Sequence, residues 1–103
     1  MAGRVRAILV GQPGLSERRM FGGLAFILHG HMACGIVRDE LMVRVGPQEH
    51  AEALAQPNAR AMDFTGRPMK GMVFVAAEAL GGEEALRAWV QRGVAYTGTL
   101  PPK

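Results

Sequence analysis

His29, His31 and Cys34 come nearest to a chemical constellation in this chain. Two imidazoles and a thiol are the ligand types that zinc takes. The spacing works against a shared ion. On extended backbone His29 and His31 share one parity and Cys34 has the other. A structural zinc also needs a fourth ligand, and His50 belongs to a different element. These residues therefore read as two hairpin-tip histidines and a small buried cysteine. As a nucleophile Cys34 would need a base or a positive field to lower its pKa. Its neighbours are Met32, Ala33, Gly35 and Ile36, which suit an inert thiol.

Other candidates thin out in the same way. Ser16 is the sole serine and lacks the strand, elbow and helix of a hydrolase, so it reads as a turn or cap residue. Gly22-Gly23 precedes a strand and no Gly-Lys-Ser/Thr follows, so it is not a phosphate loop. Glycine in that setting marks a bulge or close packing on another backbone. Asp39 and Glu40 are adjacent, point apart on extended backbone and read as solvated turn residues. Asp63 stands among Arg60, Arg67 and Lys70, which fits an ion pair or an anion contact. Arg19, Asp63, Arg67 and Lys70 form the candidate interaction surface. No catalytic residue, cofactor or metal is expected.

The elements that must position these groups follow from pattern. Ala2 to Val10 reads as a short helix ended by Gly11-Gln12-Pro13-Gly14. Met20 to Leu28 carries no charge and is apolar on both faces, as a strand covered on both sides would be. Gly30 suits a hairpin turn, with Met32 to Val37 as the return strand. Arg38-Asp39-Glu40 turns the chain into Leu41 to Val45, where Leu41, Val43 and Val45 face opposite to Met42 and Arg44. Pro47 is placed to open a helix reaching about Ala55, which Pro57-Asn58 stops. Ala61 to Phe64, and Met69 or Gly71 to Ala76, read as two more strands. Gly81-Gly82 leads into a last helix with Leu86, Trp89, Val90, Gly93 and Val94 as its apolar stripe. The order is α-β-β-β-α-β-β-α. Short links between strands imply antiparallel pairing, hence an α+β fold with a sheet of about five strands and helices packed on it.

Composition agrees. The 103 residues suffice for one domain, spanning 1–103, and 49% of them are apolar, as in a globular protein. One cysteine excludes an intrachain disulfide and fits a reducing cytoplasm. No segment approaches membrane-spanning length, so no membrane partner is expected. A net charge of +3 with scattered basic residues does not argue for direct nucleic-acid binding. Seven methionines, six of them in or beside strands, read mainly as core filler, with Met42 also suited to an adaptable contact surface. The doubly apolar strands suggest a face for self-association as a homodimer. Phe21, Phe26, Phe64 and Phe74 sit in apolar surroundings and read as core, not as a base-stacking platform.

Three segments carry a resemblance. Met20-Phe21-Gly22-Gly23-Leu24-Ala25-Phe26, Asp39-Glu40-Leu41-Met42-Val43-Arg44-Val45 and Asp63-Phe64-Thr65-Gly66-Arg67-Pro68-Met69-Lys70-Gly71 are similar to the TfoX/Sxy N-terminal domain family. The resemblance covers nearly the whole chain and implies a stand-alone N-terminal domain of compact α+β form. Named members are bacterial competence regulators thought to act with the cyclic-AMP receptor protein, and they carry a further C-terminal domain. The resemblance thus implies a non-enzymatic interaction or regulatory module whose partner is a transcription regulator, and it supplies no catalytic residues. Two alternatives stand beside it. One is a small-ligand or metal-dependent enzyme using His29, His31, Cys34 or Asp63, which requires those side chains to converge in one cleft. The other is a weak DNA-binding accessory protein.

Overall fold

The computed structural model describes residues 2–20, 22–61 and 71–101. The elements run α1 (Ala2–Leu9), β1 (Leu15–Met20), β2 (Gly23–Leu28), β3 (His31–Val37), β4 (Glu40–Arg44), α2 (His50–Leu54), β5 (Ala59–Ala61), β6 (Met72–Val75), a 3₁₀ turn (Ala77–Leu80) and α3 (Glu83–Thr97). Among the described residues six strands form one sheet in the order β1-β2-β3-β4-β6-β5, and every pairing is antiparallel. The α+β antiparallel architecture expected from pattern is the one observed. None of the described helices is long and apolar enough to cross a membrane.

Turn chemistry sets the meander. His29 and Gly30 both have positive φ, 52° and 85°, the requirement of a two-residue turn whose twist matches its strands. Arg38, at φ 58°, begins the equally short link from β3 to β4. Gly22, at φ 73°, ends the two-residue link between β1 and β2. That glycine is also why the single strand expected over Met20 to Leu28 is broken. The chain turns back, and residues 15–20 become a separate edge strand. Ser16 is therefore an exposed strand residue, not a cap. Polar Ser16-Glu17-Arg18-Arg19 hid this strand because an edge position needs no apolar alternation.

All the helices pack on one face of the sheet. That core joins Val5, Ile8 and Leu9 of α1, Ala53 of α2 and Leu86, Trp89 and Val90 of α3. Facing them are Phe26, Cys34, Ile36, Leu41, Val43, Val73 and Val75 from the strands. Gly93 lets α3 approach closely: a Cβ there would lie 2.3 Å from the Ala33 carbonyl oxygen. Ala33 is the extra residue of a bulge, since Phe26 pairs with Cys34 and Ile27 with Met32. The opposite face holds a second cluster, Met42, Met72 and Phe74, with Met32 and Val37 against it. Met42 has no exposed surface, so it is buried filler and not a contact surface. The parity expected for β4 holds, with Leu41, Val43 and Val45 in the helix-side core and Met42 behind.

Smaller differences have local causes. The helix expected from Pro47 begins only at His50, because Gly46 has positive φ and residues 47–49 form turns. Where a strand is expected over residues 61–64, the described strand is Ala59–Ala61, which starts two residues sooner, and Met62, Asp63 and Phe64 fall outside the described residues. The 3₁₀ turn has no periodic signal. Its end is held by Arg4, which donates to the Leu80 carbonyl at 2.8 Å and to that of Gly81 at 3.4 Å.

Candidate functional site

At one end of the sheet Gly23 runs flush against β3. A Cβ on Gly23 would sit 1.9 Å from the Ile36 carbonyl oxygen, so no other residue fits there without moving backbone. The close approach that Gly22-Gly23 suggested is therefore real. It leaves a hollow of about 280 Å³ beside Gly22 and Gly23, floored by Leu24 and Ile36 and flanked by Arg19 and Arg38. Arg19 sits in β1 opposite Leu24, which in turn pairs with Ile36, so these three occupy one row across the sheet. Arg38 reaches the hollow from the β3–β4 turn, where its positive φ is sparsely populated by non-glycine residues.

This end is basic on balance, with exposed Asp39 beside Arg38 in the β3–β4 turn as its acid that makes no ion pair with the described residues. Glu17 is taken by Arg6 of α1 through two hydrogen bonds of 2.7 and 2.8 Å. That hydrogen bonding is the main reason Glu17 is held below the usual carboxylate range and Arg6 is raised. Arg18, Arg19 and Arg38 are exposed and make no ion pair with the described residues. A guanidinium presents a planar fork of donors suited to a carboxylate or phosphate. What the hollow can do is hold an anionic group over an apolar floor.

Of the four expected surface residues, the structure places Arg19, which lines the hollow. Asp63, Arg67 and Lys70 lie outside the described residues. From sequence alone Arg38 is only a turn residue. Its signal was a positive charge in a two-residue link, which cannot be ranked without the fold. Arg60, by contrast, is engaged: it donates to both carboxylate oxygens of Glu40 and covers the Phe74 ring at 4.6 Å. Glu40 is accordingly a paired, half-buried strand residue and not a turn residue.

The histidine and cysteine candidates separate. His29 is exposed at its turn, its ring against Gly14. His31 is not at the hairpin tip. It begins β3, only 9% exposed, and its Nε2 lies 2.6 Å from the Pro101 carbonyl oxygen, to which it donates. Cys34 has no exposed surface, and burial pushes its thiol up to about 12, away from the range of a nucleophile. Among the described residues no three His, Cys, Asp or Glu side chains are grouped to hold a metal ion.

Fold and hollow together define a small one-sheet α+β domain that presents basic side chains at a free sheet end. The TfoX N-terminal domain matches residues 7–96, and the chain belongs to that family. Neither a curated protein nor a solved structure matches the chain.

Proposed function

We propose that this domain is a regulatory module of the competence-regulator kind, non-enzymatic, which works by contacting another protein. The family match over residues 7–96 carries the reading. The burial of Cys34 and the engagement of His31 by Pro101 support it, because both take reactive groups out of reach. The partner expected from the family is a transcription regulator, met in the bacterial cytoplasm.

Deletion of the gene, followed by transcript profiling and by crosslinked affinity capture, tests the proposal. A defined set of altered transcripts and a reproducible partner protein are expected. Unchanged transcripts together with an accumulating metabolite would overturn it in favour of an enzyme.

A further inference from the structure

The sheet has two ends, and they differ. β5 is three residues long and its Arg60 is tied down across the face. β1 is six residues long, pairs with β2 in unbroken register and has no described strand on its other side. Its hydrogen-bonding phase can be read. The His29 amide donates to the Gly14 carbonyl at 3.1 Å, and the register that pairs Leu15 with Leu28 sets Gly14 opposite His29. Residue 14 is thus in a hydrogen-bonded pair, and so by alternation are 16 and 18. The N–H and C=O groups of Leu15, Glu17 and Arg19 consequently point away from β2. Three residues' worth of main-chain donors and acceptors line an edge that no described strand pairs, the template for strand addition.

Charge says what would add. Glu17 is neutralised by Arg6, whereas Arg18, Arg19 and Arg38 are unpaired among the described residues. Arg19 belongs both to the edge and to the hollow. A second copy of β1 fits poorly. Two-fold antiparallel pairing keeps the helix face of both copies on one side, so it joins residues of like parity. It sets either Arg18 against Arg18, like charges directly opposite, or Glu17 against Glu17, each already held by its own Arg6, and in neither register does an unpaired carboxylate meet Arg18 or Arg19.

We infer that the β1 edge and the Arg19–Arg38 hollow form one docking surface for an extended acidic segment of a partner protein. Main-chain hydrogen bonds to residues 15, 17 and 19 hold the added strand. Arg19, on the helix side of the sheet, meets the acidic side chains of one face of the added strand, Arg18 meets any on the other face, and a carboxylate carried past the end of β1 enters the hollow between Arg19 and Arg38. This rests on the interaction-module reading and names the surface and the chemistry of its partner.

The first test uses a fluorescein-labelled peptide of roughly ten residues alternating glutamate with valine, a typical strand length or longer. Anisotropy should show binding that weakens with salt, and amide exchange should slow at Leu15, Glu17 and Arg19. A peptide with lysine for glutamate should not bind, and Arg19→Glu with Arg38→Glu should weaken binding about tenfold or more. Both arginines are exposed, so the variant keeps its fold, checked by circular dichroism. Absence of binding, binding without slowed exchange at those amides, or equal binding of polyphosphate would each overturn the inference. So would slowed exchange at the same amides in the free protein at concentrations where light scattering finds a dimer. A second arm separates the inference from the reading beneath it. A photoreactive residue is placed at Ser16 or, as a control, at exposed Gln91 of α3, in the producing cell. Crosslinks from position 16 alone are expected. Crosslinks only from position 91 would sink the edge and leave the module, and none from either would sink both.

Discussion

Cys34 shows what one buried atom contributes. Its thiol stays protonated in the folded chain to about 12, against an ordinary value of 9.0, because burial disfavours the thiolate. The stabilising difference is complete below pH 9 and is lost as pH rises from there towards 12, where the unfolded chain ionises and the folded one does not. Stability should fall by about 1.4 kcal/mol for each pH unit in that window. Denaturant titration of the chain and of Cys34→Ala checks this, since the variant should lack that slope. A thiol reagent at pH 8 should leave the native protein unmodified and label it fully once unfolded. Glu17 runs the other way. Its pairing with Arg6 holds it low, so its contribution is present above the ordinary carboxylate range and fades as pH falls through the depressed value. Glu17→Gln should remove that acid-side dependence and loosen α1 from β1.

At the scale of elements the glycines decide the packing. Gly23→Ala would drive a methyl into the Ile36 carbonyl, and the atoms it meets are β3 backbone, which cannot rotate aside as a side chain would. A loss of about 3 kcal/mol and a melting midpoint lower by more than about 10 °C are expected. Gly22→Ala meets no atom within 4 Å and suffers only the strain of φ 73°, so about 1 kcal/mol is expected. Thermal melts of the two variants separate contact from conformation. The two-faced apolar run from Leu24 to Leu28, the parity of Leu41 to Val45 and the stripe of Leu86, Trp89 and Val90 were legible in the sequence because apolar period reports directly on which faces are covered. β1 was not, since an edge strand of Ser, Glu and Arg carries no such period. The hollow was half legible. Gly22-Gly23 announced a close approach and Arg19 stood out as basic, but Arg38 comes near only through the β3–β4 turn. The tie from His31 to Pro101 spans seventy positions, and no local pattern encodes it.

For the whole molecule, the apolar second face that suggested a homodimer is filled within one chain: Met42 is 0% exposed, Phe74 4% and Met72 5%. A dimer would need another surface, so light scattering at several concentrations should find the 11.1 kDa mass of a single chain. The sheet order has a consequence in time. β1 to β4 are neighbours in sequence and in space, joined by turns of two residues, and each hairpin closes a short loop at little entropic cost. β6 alone steps past its predecessor to lie beside β4, and it can be rewarded only after residues 45–71 have been brought round. The meander should assemble first and wait for β6 and α3 to seal it. Val43→Ala would then slow folding about in proportion to the stability it removes, while Leu86→Ala would chiefly hasten unfolding. During synthesis, a chain released only as far as Arg44 would already own most of its sheet but none of the α3 side of its core.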